Sequence, residues 1–533
     1  MFASSGGVRW LQPVQRRGRR RRRRVPVGPL LGLLALLVLA AGAFAFVRSR
    51  DDADDPSQAV AQRFAAAWAK GHLDAAYALT TAKTQDAQSA RLFRQSYRQS
   101  ARAATVRKVE VGPAGEPQDG AVPVPVTVRT RTFGPLKGTI RFPVERTGDT
   151  ARVAWTPDLR LPGLRPDERV HRRLLRQPPR ASVLDADGRR LARTSSAGGL
   201  AASLDDDFDA RLSGRPGAEL RYGKRVVAKV KIKRGRSVKT TIRPSMQAAA
   251  VSALGDRVGG IAVIQPRTGN VLGIAGLALN GPQPPGSSFK IITLAAALNE
   301  GKTEPSETFP VRTQATLSGV PLRNAGDESC GGSLTTSFAH SCNSVFGPLG
   351  VRLGAKRLVR YAEAFGFNEK PPIPGAKRSS IPHDLKDDLA VGASAIGQDR
   401  DLATALTMAS VGATIAERGV RHRPRLLRSD KRSRARVVKR SVASDVRDMM
   451  LEVVRSGTGV SAALPGAEIA GKTGTAELVP TADAGSDPSN TDAWFVAFDA
   501  ADPKIAVAVM LVGAGQGGAS AAPLAREVIA ASL

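Results

Sequence analysis

Apolar positions along this chain fall into three textures: one unbroken run, a helical period, and strand alternation. The unbroken run is Val25–Val47, 23 residues without a charge. That length spans a hydrocarbon core of about 30 Å and predicts a single N-terminal transmembrane helix. A helical period follows in Ala59–Gly71, where Val60, Phe64, Ala67 and Trp68 share one face, and recurs in Leu73–Leu79 and Leu92–Ala103. Alternation then takes over in Thr105–Val111, Ala121–Thr132, Gly138–Glu145 and Thr150–Trp155. Helices first and a curved antiparallel sheet after them predict an α+β domain over 56–157.

Residues 158–240 are harder to read. Arg160–Leu175 is basic and punctuated by proline, residues 180–192 suggest a strand, a turn at Asp187-Gly188 and a second strand, and Lys224–Arg236 alternates basic and apolar positions. We expect a short β-rich pedestal here. From Thr241 to Leu533 the texture is that of a large α/β domain, an antiparallel sheet flanked by helices. Its predicted elements include strands Ile261–Ile264 and Val271–Ala275, a helix over Ile291–Leu298, a helix carrying His340–Ser344, a helix start at Gly397-Gln398, a helix at Leu402–Ala416, and a hairpin of Ala493–Phe498 with Ile505–Val512.

Charge sharpens the N-terminal reading. The chain has 79 Lys+Arg against 47 Asp+Glu, a formal +32. Aromatics are only 5% and no nucleic-acid motif appears, so a nucleic-acid partner is not expected. Residues 1–24 form a polar arm whose arginine block, Arg16–Arg24 broken only at Gly18, abuts the apolar run. The positive flank places the arm in the cytoplasm and all later residues outside the cell membrane. A cleaved signal peptide is the alternative, but the apolar run is long for one and Ala43-Phe44-Ala45 matches a cleavage site only loosely. Five isolated histidines, with no HExxH, Walker loop or GxGxxG, predict neither metal nor cofactor.

The candidate chemistry begins at Pro285-Gly286-Ser287-Ser288-Phe289-Lys290. Proline and glycine end what precedes, so Ser287 falls at a helix N-terminus with Lys290 nearly one turn later on the same face. A serine hydroxyl becomes a nucleophile when a base lies within reach, and a helix N-terminus offers N–H groups to an oxyanion. Two further motifs follow in order, Ser341-x-Asn343 and Lys472-Thr473-Gly474, their first residues 54 and 131 positions further on in turn. Each is common alone, whereas the ordered triple is highly specific.

With these motifs the chain resembles the penicilloyl-serine transferases, and more closely the class B penicillin-binding proteins, the peptidoglycan D,D-transpeptidases. Pro285-Gly286, Ile396-Gly397-Gln398, Lys472 to Glu477 and Trp494 to Phe498 carry the wider match. Residues 56–157 are similar to the NTF2-like N-terminal domain of one subgroup. The resemblance implies an acyl-enzyme on Ser287, Lys290 as an unprotonated base with Lys472 as neighbouring cation, and Ser341 as proton relay. It further implies Asn343 against the acyl chain, and Thr473, Gly474 and Thr475 at the substrate carboxylate and oxyanion hole. It implies peptidoglycan stem peptides as substrate, β-lactams as covalent inhibitors, and a separate glycosyltransferase of the SEDS polymerase type within the wall-synthesis machinery. A D,D-carboxypeptidase shares every motif. A β-lactamase would need a Glu-x-x-Leu-Asn motif that is missing, and a β-lactam sensor would need a larger cytoplasmic domain than 24 residues. Asp399 and Ala405 depart from the glycine and proline usual in the family. Cys330 and Cys342, both outside the membrane on this topology, are read either as a disulfide or as two small apolar residues.

Overall fold

A computed structural model describes residues 55–191, 198–477 and 488–533. The arginine arm and the apolar run 25–47 lie outside the described residues, and among these no helix is long and apolar enough to cross a membrane. The described residues form two compact units: those up to Leu175 with Gly217–Lys231, and those of Arg176–Pro216 with Ile232–Leu533. The stretch read as a pedestal is therefore shared between them.

In the first unit, helix α1 (Pro56–Ala69) opens with Asp55 capping Ser57 N and proline at its first turn. It buries Val60, Phe64 and Trp68 at the spacing read from sequence. Helices α2 (Leu73–Ala78), α3 (Ala82–Ala87) and α4 (Ala90–Ala104) follow. The sequence does not signal α3, because its one buried residue is Thr84 and no apolar period marks it. Strands β1 (Val106–Val111), β2 (Ala121–Thr130), β3 (Pro135–Thr147) and β4 (Thr150–Val153) then form one antiparallel sheet in chain order. A smaller sheet of β5 (Val170–Leu174), β6 (Ala218–Tyr222) and β7 (Arg225–Val230) adds Leu220 and Tyr222 to the same core. In the segment 180–192 the strand is only Val183–Leu184, bridged to Arg190 across a turn in which the Asp185 carboxylate accepts the N–H groups of Asp187 and Arg189.

The second unit is built on a five-stranded antiparallel sheet. Its strands are β8 (Gly259–Gln265), β9 (Asn270–Gly276), β10 (Ile469–Glu477), β11 (Thr491–Asp499) and β12 (Ala506–Leu511), in the order β9-β8-β12-β11-β10. Alternation along β11 sends Trp494, Val496 and Phe498 into one core and Ala493, Phe495 and Ala497 into the other. Helices α5 (Pro244–Leu254) and α11 (Ala522–Ala530) cover the second face. On the first lie α6 (Lys290–Asn299) and α9 (Ala405–Ala416), with α7 (Leu334–Ala339), α8 (Asn343–Leu353) and α10 (Arg440–Arg455) packed on the same core. Strand β10 is an edge, and its free side is open to other segments.

Two helical expectations fail. The helix expected across His340–Ser344 is broken: α7 ends at Ala339, Ser341 takes φ +63°, and α8 restarts at Asn343. Gly397-Gln398 follows the end of a helix, Asp388–Ala395, instead of opening one. At Ser341 tertiary contacts override local propensity, whereas Gly397, at φ +74°, is the left-handed glycine that ends the preceding helix, the Gln398 N–H donating back to the Ala393 carbonyl at 3.0 Å.

The first core centres on Phe93, fully buried, whose ring lies 5.0 Å from those of Tyr97 and Trp155 and 5.4 Å from that of Tyr77. Phe93→Ala is expected to destabilise this unit by about 3–5 kcal/mol, read by denaturant unfolding, with Phe93→Leu intermediate. Unchanged unfolding in Phe93→Ala would contradict this placement of the core.

Candidate active site

Three backbone segments converge where glycine permits it. Residues Gly286–Phe289 form one 3-10 turn that runs into α6, so Ser287 does sit at a helix start. Gly286 has φ +51°, and a Cβ on it would lie 2.6 Å from the Thr475 carbonyl oxygen. A Cβ on Gly474 would lie 2.6 Å from the Pro285 oxygen, and one on Gly397 would lie 2.2 Å from the Gly286 oxygen. Any side chain would force these segments apart. The Gly286 N–H also donates to the Gly397 carbonyl at 2.9 Å.

The turn distinguishes its two serines. Ser288 is buried and its hydroxyl donates to the Pro285 carbonyl at 2.7 Å. Ser287 is half-buried, and among the described residues none hydrogen-bonds its hydroxyl. Ser288 is thus committed by its hydroxyl, and Ser287 is not.

Lys290 and Lys472 are both 0% exposed. The Lys290 Nζ donates to the Ser341 carbonyl and to Asn343 Oδ1, each at 2.6 Å, and lies 3.2 Å from Ser341 Oγ. Lys472 Nζ lies 2.9 Å from the same Oγ and 3.2 Å from the Thr473 carbonyl. The remaining surroundings are aromatic, Phe346 at 5.7 Å from the Lys290 amine and Phe338 at 5.5 Å from that of Lys472. No carboxylate accepts from either amine among the described residues. Burial therefore pushes the Lys290 amine well below the usual lysine range, with the nearby Lys472 pushing the same way, and burial alone lowers Lys472 to about 7.

A neutral amine has two N–H groups and one lone pair. At Lys290 the two short acceptors use both N–H groups, which leaves the lone pair to receive a hydroxyl proton. The sequence reading put Lys290 within reach of Ser287, but in the structure its amine is hydrogen-bonded to Ser341 and Asn343 and not to Ser287. Asn343 is likewise committed differently from expectation: its Oδ1 holds Lys290 and its Nδ2 donates to the Arg323 carbonyl at 2.8 Å. The left-handed Ser341 loop is tied at the next residue by a disulfide, Cys330–Cys342, with Cα atoms 5.4 Å apart.

Strand β10 presents the third motif. Gln398 Nε2 donates to the Thr475 carbonyl at 3.4 Å, so that carbonyl faces the free edge. In a strand the N–H of a residue points to the same side as its C=O, so the Thr475 N–H faces the Ser287 turn as well. Thr473 is buried, and its Oγ1 lies 2.6 Å from that of Thr458. Thr458, Arg323 and the two phenylalanines were not singled out from sequence. Only the glycines flanking Thr458, in Ser456-Gly457-Thr458-Gly459, hint at a close approach. Among the described residues no group of three or more His, Cys, Asp or Glu side chains is placed to hold a metal.

Residues 259–530 match the penicillin binding protein transpeptidase domain family, and residues 56–168 match the NTF2-like N-terminal transpeptidase domain family. The peptidoglycan D,D-transpeptidase PbpA of Mycolicibacterium smegmatis is 36% identical over 366 residues, covering 56% of this chain and 73% of that protein. Its namesake in Mycobacterium tuberculosis is 34% identical over 368 residues, with the same coverage of 56% and 73%. Among solved structures, that of PBPA from M. tuberculosis aligns with a TM-score of 0.51 at 32% identity, over 57% of this chain and 83% of that one. A penicillin G acyl-enzyme complex of penicillin-binding protein A from the same organism aligns with a TM-score of 0.52 at 28% identity, over 66% and 91%.

The depressed lysines have a signature in stability. Unfolded lysine keeps its proton to about 10.5, whereas folded Lys472 releases it near 7. Between these values the unfolded chain binds more protons, so stability should rise with pH across that window. Lys472→Met should flatten the rise and stabilise the fold at pH 7, measured by denaturant unfolding from pH 6 to 10. A variant less stable than wild type at pH 7 would contradict burial as the cause.

Proposed function

The chain belongs to the penicillin-binding protein transpeptidase family, and from that premise we propose how its residues perform peptidoglycan D,D-transpeptidation. The observation that carries the assignment of roles is the pair of buried lysines joined through Ser341 Oγ beside an uncommitted Ser287. Ser287 attacks the penultimate D-Ala carbonyl of a stem peptide, and its proton passes to the Lys290 lone pair. The N–H groups of Ser287 and Thr475 receive the negative charge that develops on the carbonyl oxygen. Ser341, hydrogen-bonded between the two amines, hands its proton to the departing D-Ala nitrogen and takes in exchange the one that Lys290 received from Ser287, which leaves Lys290 neutral again. Thr473 and Thr475 bind the terminal carboxylate beside Lys472, and Gly474 lets the strand approach the turn. Asn343 acts first by holding Lys290, with one amide N–H left for the acyl chain. The acyl group then passes to the amine of a second stem peptide, while a β-lactam traps the enzyme at the acyl stage.

The setting is part of the proposal. The run 25–47 anchors the chain in the cell membrane, with the arginine arm cytoplasmic and both described units outside. Cross-linking there calls for a separate glycosyltransferase to supply the glycan strands. What supports this reading is the charge step at the apolar run and the pairing of the two cysteines, since disulfides persist outside the cytoplasm. Protease added to intact spheroplasts should digest the two units and spare a fragment containing residues 1–24; protection of the whole chain would reverse the topology.

Fluorescent penicillin should label the wild-type chain covalently and fail to label Ser287→Ala, and labelling that survives there would sink Ser287 as nucleophile. Lys290→Met should slow acylation by about 10²–10⁴-fold, the usual worth of general-base help. With a stem-peptide donor and an amine acceptor the product should be the cross-linked dimer; free tetrapeptide alone would identify a carboxypeptidase.

A further inference from the structure

Thr458 stands on the loop after α10 and touches two of the three motif segments. Its N–H donates to the Ala339 carbonyl at 3.1 Å, two residues before Ser341, and its hydroxyl reaches the same oxygen at 3.3 Å. The same hydroxyl lies 2.6 Å from Thr473 Oγ1, to which Lys472 Nζ also points at 3.5 Å. The approach is enforced by glycine: a Cβ on Gly457 would lie 2.4 Å from the Ala339 oxygen, and one on Gly518 would lie 2.2 Å from the Thr458 oxygen.

Counting protons gives these contacts a direction. A hydroxyl has one proton to donate, and a carbonyl only accepts. While Thr458 donates to Ala339, the 2.6 Å contact must therefore be donation from Thr473 to Thr458. In that state the Thr473 proton points away from any ligand. To serve a carboxylate, Thr473 must turn its proton outward, and its oxygen then accepts from Thr458. Ala339 is not orphaned by the change, because it keeps the Thr458 N–H.

We propose that Thr458 is a positioning residue for the terminal carboxylate of the acyl donor, its hydroxyl turning from the Ala339 carbonyl to Thr473 as Thr473 engages the carboxylate. The effect acts through Thr473, so it rests on the carboxylate-binding role given to that residue above. It is confined to ligands that carry a carboxylate. Linked hydroxyls polarise one another, so losing Thr458 weakens the bond that Thr473 makes.

The test uses the full chain, with benzylpenicillin and its methyl ester as probes. Thr458 is solvent-exposed, so valine is accommodated without burying a polar group. Thr458→Val should lower the second-order acylation rate with benzylpenicillin about tenfold, the effect of one net hydrogen bond. The methyl ester, slower in wild type, should lose almost nothing further, and Thr458→Ser should restore the wild-type rate with the acid. An equal loss with acid and ester, or no loss with either, overturns the proposal while leaving the acylation reading standing. A wild type that benzylpenicillin does not acylate overturns both.

Discussion

Two ammonium groups cannot share one dry pocket at ordinary pKa, and the site in the second unit depends on that constraint. Lys290 and Lys472 are fully buried, lack a carboxylate partner among the described residues, and converge on one hydroxyl. Burial disfavours the charged form of each, and proximity disfavours the second charge further. A lysine in water is a poor base at neutral pH because it already holds its proton. Here burial opposes that proton, and the apolar packing that makes α6 a stable helix also pushes the amine of its first residue well below the usual lysine range.

Positioning the pocket requires unusual backbone on every side. Ser341 is left-handed, a conformation that non-glycine residues adopt rarely. The disulfide at the next residue holds it there, with the Ser341 and Cys342 N–H groups donating back to the Phe338 and Ser337 carbonyls. The Ser287 turn and strand β10 meet through Gly286 and Gly474, so backbone from distant parts of the sequence comes to lie side by side. The two departures from the family pattern are explained by the same local rules. Asp399 has φ +65°, which accounts for the glycine usual there, and aspartate is among the residues that tolerate this region best. Ala405 is the first residue of α9 after the Thr404 cap, the helix position at which proline is most at home.

What the sequence made legible was whatever rests on periodicity or on short spacing. The inward face of α1, the strands of both principal sheets and the seat of Ser287 at a helix start follow from patterns within a few residues. The break at His340-Ser341 was not legible, because no proline or glycine marks a stop there and the weak helix propensity of Ser and Asn does not by itself end a helix; contacts with Lys290 and Lys472, 51 and 131 positions away in sequence, reward the break. Nor could the pattern tell that Lys290 would hydrogen-bond Ser341 and Asn343, since one turn of helix brings Lys290 near Ser287 just as well. Thr458 carried no signal beyond its flanking glycines. The pedestal stretch misled in another way: its strands were visible in part, but their division between two cores depends on long-range pairing.

The central claim is that a buried amine, not a histidine or a metal-bound water, takes the proton of Ser287. It is tested most directly by titrating the lysines of the full chain with ¹³C at Cε, followed by NMR and assigned with Lys290→Met and Lys472→Met. The account predicts two resonances apart from the rest, one titrating near 7 and assigned to Lys472, the other belonging to Lys290 and well below the ordinary lysine range. Both amines titrating with the surface lysines near 10.5 would contradict it.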